Sequence, residues 1–493
     1  MARNSSIRVD SVEVNATQTN VVGGCGLALF MKYLKRAGIF RMLNDRLPES
    51  LSNAGYLPEV YVKALWGLKL LYPDVNAPLT RIDGMRESKA IKQALMVREI
   101  PCSEAVGDWL RRMACCERIG RAEDRSAIVG GYEEGLESIR DMFYEVAVGV
   151  MGRMSKELGD RLDFDASCIY GEKKCDEWMY SKAKGSMGYL GFMGRICVMA
   201  ELEKGNHSPS DSIGRRIGSC IGFAEKYGIE VKTVRSDSAA YESEVINACE
   251  RAGRTFYVRA DVDRAVWRAC ERIRDWRNYD VRMSKGKVCE REMGTAVHCM
   301  DRTDAAFTLV VKREVSRENG KSDNRLPGLE APMYKYWCVA TNESVKTSPT
   351  DTGLTPAEVE EVFNDHCNVE SRIKQLKSDT GIGRLPTSEL DANRVYVYIM
   401  AMLHNLFELF KLECLPSCYK NKRLPTVMRE LLLTPGKIVV QSHKMVIDLP
   451  VYLKWMVKLY QEVLRAIRED VRAPAAAGLP SNVWRVDLPQ GVD

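Results

Sequence analysis

The chain has 493 residues, 45% hydrophobic and 28% charged, with a net charge of only +5. That is the composition of a soluble globular protein of roughly two to four domains. The balance excludes a histone-like polycation, so a nucleic-acid partner would have to be met by local basic patches.

Sixteen cysteines are scattered without a pair of CxxC motifs, and the five histidines do not flank them at zinc-finger spacing. The thiols and the lack of a visible signal peptide point to a reducing cytoplasm. The longest apolar run, Val395 to Phe410, is interrupted by His404, Asn405 and Glu408. It reads as a buried helix, and no membrane partner is expected.

In chain order, residues 1–20 read as a flexible tail and 21–150 as a helical region, with apolar residues at 3.6 spacing. Within it, Ser88 to Val97 and Ser103 to Cys115 read as two helices around an Ile100-Pro101-Cys102 turn, with Ser103 as a cap. Arg111 and Arg112 lie on the second. A helix-turn-helix that enters a DNA groove and a plain helical hairpin both fit.

Near residue 160 the pattern changes. Leu162 to Tyr170 reads as a strand, and Tyr189 to Cys197 and Val198 to Glu203 as a hairpin. A helix from Pro209 to Tyr227, a strand from Ile229 to Arg235, a helix from Glu242 to Ala252 and a strand from Thr255 to Arg259 follow. This is a mixed α/β layout. Residues 262–350 break it with a helical stretch and then short strands, Tyr279 to Met283, Phe307 to Glu314 and Tyr334 to Thr341, around an Asn319-Gly320 turn. They read as a β-rich insertion carrying Trp267, Trp276 and Trp337, which fit a small β core better than a nucleic-acid contact. The second part of the α/β core spans 351–411. Residues 412–493 read as a helical region, with an amphipathic helix from Tyr452 to Arg468 and a flexible tail beyond 472.

One helix is expected over 356–380. Thr355-Pro356-Ala357-Glu358 forms a capping box with Pro at the first helical position, and Gly381 supplies the stop. Seven residues are almost two turns, so Phe363, His366, Glu370, Lys374 and Lys377 share a face.

Three carboxylates then stand out. Asp165 interrupts an apolar strand, and Asp163, two residues earlier, points to the same face. Two like charges there repel unless a cation lies between them. Asp237 follows a strand, and Glu370 lies on the long helix. Asp237 could also cap the next helix, and Glu370 could pair with Lys374. A set of carboxylates converging from two strands and a covering helix suits Mg²⁺, a hard ion that takes oxygen ligands and is shared with phosphates.

These residues resemble the catalytic core of DDE-type bacterial insertion-sequence transposases, in the group with a β-rich insertion between the second Asp and the Glu. The resemblance rests on Asp165 in Asp-Phe-Asp-Ala-Ser, Asp237 in Val-Arg-Ser-Asp-Ser-Ala-Ala-Tyr, and Glu370 in Asn-Val-Glu-Ser-Arg-Ile-Lys-Gln-Leu-Lys. Gly205-Asn206, Val339-Ala340-Thr341-Asn342 and Gly383-Arg384-Leu385-Pro386 extend it over roughly 20–470. The group's signature on the Glu helix is Tyr, two residues, Arg, three residues, Glu, six residues, Lys. Here Glu370 and Lys377 match, while Phe363 and His366 replace the Tyr and the Arg. An arginine would hold phosphate bidentately, whereas a histidine titrates near neutrality and offers fewer donors.

The resemblance implies an α/β fold: an RNase H-like mixed sheet flanked by helices, interrupted at 262–350 and preceded by a helical DNA-binding region. It implies metal-dependent cleavage and strand transfer at the element's own terminal inverted repeats, a homodimer in the synaptic complex, and a target DNA. Asp165, Asp237 and Glu370 would hold Mg²⁺ or Mn²⁺, two ions in all, with Asp163 as an auxiliary. Lys377, His366, Arg372, Lys374, Arg235, Arg111 and Arg112 are the candidate DNA contacts. The expected place is the prokaryotic cytoplasm, at the nucleoid. A transposase-derived DNA-binding protein without catalysis is the alternative. A two-carboxylate glycosidase lacks its aromatic sugar platforms here.

Overall fold

The computed structural model describes all residues except 1–20, 50–54, 73–76, 115–133, 209, 211, 227–228, 285–286, 317–332, 348–349, 366, 442–443 and 470–493. Both expected tails and the Asn319-Gly320 turn lie outside the described residues.

A helical region comes first. After a two-residue strand β1 (Val21–Val22), it comprises α1 (Leu27–Arg36), α2 (Ile39–Arg46), α3 (Pro58–Leu71), α4 (Arg81–Arg86), α5 (Lys89–Ala94), α6 (Ser103–Met113) and α7 (Gly135–Leu158). Ser88 caps α5 by accepting from the Ile91 amide. At α6 the cap is Cys102 rather than Ser103, because Ser103 gives both its amide and its hydroxyl to Asp83.

The sheet follows: β2 (Arg161–Tyr170), β3 (Glu177–Trp178), β4 (Lys184–Met193), β5 (Ile196–Lys204), α8 (Ile213–Lys226), β6 (Thr233–Ser236), α9 (Ser243–Arg251), β7 (Thr255–Ala260) and α10 (Arg264–Glu271). The hairpin turns at Gly194, in the left-handed region at φ +56°, not at the expected Cys197–Val198. β2, β4 and β5 pair antiparallel, while β6 joins β2 and β7 joins β6 in parallel. The order β5-β4-β2-β6-β7, with helices between the parallel strands, is the RNase H-like mixed sheet.

The inserted residues do not form a sheet of their own. β8 (Arg277–Ser284), β9 (Lys287–His298), β10 (Phe307–Ser316) and β11 (Met333–Thr341) extend the same sheet, because β11 pairs antiparallel with β7. The sequence reading missed β9. Its alternation is broken by Gly294 and by charged residues on both faces.

The expected helix over 356–380 is two helices, α11 (Pro356–Asn364) and α12 (Cys367–Asp379). The Thr355–Glu358 capping box is present. α13 (Leu390–Cys414) is the expected buried helix. It alone among the described residues is long and apolar enough to cross a membrane, but 94% of its apolar window is buried inside the protein. It packs against α6, α7 and β5, so the helical region and the sheet share one core. The chain continues with α14 (Leu424–Val427), the hairpin of β12 (Gly436–Gln441) and β13 (Lys444–Asp448), in which β12 also pairs with β1, and α15 (Lys454–Glu469).

Candidate active site

Period-two alternation puts Asp163, Asp165 and Ser167 of β2 on the face that α12 covers. The three positions have different surroundings. Asp163 is 1% exposed and fully engaged. Arg235, its registered neighbour on β6, donates from Nε to Oδ1 at 2.6 Å and from Nη2 to Oδ2 at 2.9 Å. Arg372 of α12 adds a bond to Oδ2 at 3.4 Å. The cation expected beside the two aspartates is therefore a guanidinium. Asp163, expected as an auxiliary metal ligand, is instead neutralised within the fold, and a charge this buried requires such a partner.

Arg235 is 5% exposed and also donates to the Val362 carbonyl of α11 at 2.7 Å. It is a strut between sheet and helix. Burial pushes the Arg372 guanidinium below its usual pKa, against the pull of Asp163.

Asp165 lines a cavity of about 360 Å³ with Ser167, Glu370, Ile373, Lys374, Lys377, Ser378 and Gly383. The acid and the lysine seven residues apart on α12 thus face one space. Lys377 Nζ donates to Ser167 Oγ at 3.2 Å and to the Cys168 carbonyl at 2.6 Å. Burial pushes its pKa below the usual lysine value, opposed by Cys168 and by the Asp165 carboxylate. Glu370 and Lys374 are exposed at the rim. Ser167 escaped the sequence reading, although two residues beyond Asp165 was the signal.

The β2–β6 ladder pairs Asp163 with Arg235 and Phe164 with Ser236 and ends there, so Asp165 and Asp237 are the residues that directly follow its last registered pair. Ser236 Oγ reinforces the ladder by donating to the Phe164 carbonyl at 2.8 Å. Asp237 Oδ1 accepts from the Ala239 amide at 3.1 Å and caps the short turn Ser238–Ala240. Among the described residues, no three His, Cys, Asp or Glu side chains are gathered at metal-holding range. By chemistry alone, Asp165, Asp237 and Glu370 offer the oxygen donors that a hard divalent ion takes.

The remaining candidates lie elsewhere. Arg111 is tied to Asp108 at 2.9 Å and to Glu389, at the start of α13, at 3.2 Å. Arg112 is half-buried, with its Nε enclosed. Both ion pairs of Arg111 thus lie within the fold. His366 lies outside the described residues. Phe363, where the signature has Tyr, packs at the edge of an apolar cluster of Tyr257, Met293, Val310, Val339 and Val359. Of the insertion tryptophans, Trp276 packs against the core under Arg313, whereas Trp267 is 44% exposed.

Among solved structures, the cryo-EM structure of a piggyBac transposase synaptic complex with hairpin DNA is similar at a TM-score of 0.39 and 12% identity, over 95% of this chain and 87% of that one. No curated protein matches the sequence. The family model described as Transposase DDE domain group 1 matches residues 5–471. With nearly the whole chain inside that match, the protein belongs to the group 1 DDE transposase family, enzymes of phosphoryl transfer on DNA.

Proposed function

We propose that the protein is an insertion-sequence transposase of bacterial origin, which cuts DNA at its element's terminal inverted repeats and joins the ends to a target. The observation that carries this is the cavity at Asp165, lined by Glu370 and Lys377, with Asp237 directly following the strand that pairs in parallel with that of Asp165. Asp165, Asp237 and Glu370 would hold Mg²⁺ or Mn²⁺. When bound, two such ions supply charge stabilisation for the attacking and leaving oxygens of an in-line displacement at phosphorus.

The chain's own groups do the positioning. Lys377, steered by Ser167 and Cys168, presents a fixed cation to a phosphate in the cavity, and Lys374 adds a second at the rim. Arg235 and Arg372 neutralise Asp163, so the backbone under Asp165 stays rigid without a second open charge. The helical region 21–150 is assigned to DNA-end binding, and two copies to the synaptic complex. The place of action is the bacterial nucleoid.

The test is cleavage of a duplex carrying the sequences that flank the reading frame. Wild-type protein with Mg²⁺ should cut it, and Asp165→Asn should lose on the order of 10³-fold or more while binding the same duplex. A second reading, a DNA-binding descendant without catalysis, is favoured by the engagement of Asp237 as a turn cap. It gains if wild-type protein binds those ends and cuts nothing with either Mg²⁺ or Mn²⁺.

A further inference from the structure

A second cavity, of about 1080 Å³ against about 360 Å³ at Asp165, opens between α1, the end of α5, the β12–β13 hairpin and α15. None of the candidate site residues named above lines it. Three elements each turn one face toward it. On α15, Val457, Tyr460, Gln461, Leu464 and Arg468 recur at helical spacing and form one stripe. On the hairpin, Val440 is paired with Met445, and Ile447 follows two residues later on the same face. On α1, Ala28, Lys32 and Lys35 share a face.

The floor of this groove is apolar and open. Val440 is 44% and Val457 40% exposed, and Met445, Ile447, Leu449 and Leu464 are half-buried. The apolar faces of a sheet and a helix are ordinarily covered by another element of structure, so a bare concave one marks a binding groove. Met96 and Met445 stand on two of its sides, and methionine side chains adapt to the shape of an occupant.

The rim is cationic. Lys32 and Lys35 stand on α1, Arg98 beyond α5 and Arg468 near the end of α15. No Asp or Glu lines the groove, and none of these four has an ion-pair partner among the described residues. Of the neighbouring acids, Glu99 is tied to Lys92 at 2.7 Å, and Asp448 falls on the opposite face of β13 from Ile447. Arg36 Nη2 donates to the Arg468 carbonyl at 3.1 Å and holds α1 to α15. Burial, together with the charges of Arg468, Arg36 and Lys35, pushes the Lys32 ammonium below the usual lysine pKa. Like charges gathered this way repel, and an anionic occupant relieves them.

We infer that this groove docks an acidic amphipathic helix of a partner protein, with its apolar stripe on the hairpin and α15 and its carboxylates against Lys32, Lys35, Arg98 and Arg468. A phosphate chain would meet the cations but has nothing to bury on Val440, Ile447 and Val457. A helix whose apolar residues are flanked by acids satisfies floor and rim together. The volume lies at the upper end of the roughly 300–1,000 Å³ of small-ligand sites, which leaves room for several side chains of a peptide.

The test is a fluorescence-anisotropy titration of the full chain with a fluorescein-labelled 14-residue peptide, leucine at helical spacing on one face and glutamate elsewhere. Wild-type protein should bind it saturably. It should bind roughly 10-fold or more weakly the same peptide with lysine in place of glutamate, or with serine in place of leucine. Val457→Asp and Arg468→Glu, both at exposed positions, should each weaken binding roughly 10-fold, while Val457→Leu retains it. Thermal melts check that each variant is folded. No saturable binding, or unchanged affinity in both charge variants, would overturn the inference. A 12-base-pair duplex, or a peptide of residues 470–493, that displaces the probe at equal concentration would assign the groove to DNA or to the chain's own end. Dimerisation of the wild type that Val457→Asp abolishes would assign it to a second copy. Any of these three results would also overturn the acidic partner. Both substitutions lie outside the cavity at Asp165, so DNA cleavage reports on that site separately.

Discussion

Arg235 and Asp163 form a two-bond ion pair, at 2.6 and 2.9 Å, buried between adjacent parallel strands. The same guanidinium reaches the Val362 carbonyl, so one side chain fixes β2, β6 and α11 together. Removing one member of such a pair leaves a buried charge without compensation. Asp163→Ala should lower the unfolding free energy by roughly 3–5 kcal/mol. Adding Arg235→Met to that variant should recover part of the loss, since the stranded cation goes too. Urea unfolding of the three proteins checks this. A single variant as stable as the parent would show that the pair does not hold the strands.

A pH dependence is expected from His404 of α13. The ring is buried, Nε2 donates to the Arg195 carbonyl at 2.9 Å, and its edge meets Phe192. Burial pushes its pKa below the usual 6.5, against the opposing pull of Glu408. As pH falls below 6.5, the unfolded chain takes up this proton before the folded one does. Stability therefore declines from pH 6.5 down to the depressed folded value and levels off below it. The slope from this group is at most about 1.4 kcal/mol per pH unit. His404→Leu should flatten the profile between pH 7 and 5 relative to wild type, whatever its effect at pH 7. His298, also lowered by burial, is common to both proteins and cancels in the comparison. Parallel profiles would remove His404 from the account.

Local chemistry was legible in the sequence, and long-range partners were not. Thr355 and Glu358 sit three residues apart, and their capping box was read correctly. Asp163 and Asp165 were placed on one face by alternation alone, with a cation required. That the cation is Arg235 depends on parallel pairing across 72 residues, which no spacing rule announces. The continuous helix expected over 356–380 is divided near a carbonyl, Val362, that Arg235 draws from 127 residues away. The hairpin turn was misplaced because Gly188, Gly191 and Gly194 look alike in sequence, and only Gly194 takes positive φ. At the candidate site, the seven-residue spacing of Glu370 and Lys377 correctly put both on one face, because that spacing is a property of the helix itself. The partner of Arg111, Glu389, belongs to a helix start far along the chain, which local spacing does not announce.

Glu370 offers the sharpest separation of function from folding. It is exposed on α12, and it has no ion-pair partner among the described residues. Substitution at an exposed position without partners changes stability by no more than about 0.5 kcal/mol. Glu370→Gln keeps the shape and removes only the charge. If this carboxylate is a metal ligand, the variant should melt with the parent in the absence of metal, lose the added stability that Mn²⁺ confers on the wild type, and cut DNA ends on the order of 10³-fold more slowly. Lys374→Met, one helical turn away at the same rim, should keep the Mn²⁺ effect while weakening DNA binding. Thermal melts with and without Mn²⁺ distinguish the two. A Glu370→Gln protein that Mn²⁺ stabilises as much as the parent would mean that the exposed acid is no metal ligand, and that Asp165 and Asp237 bind without it.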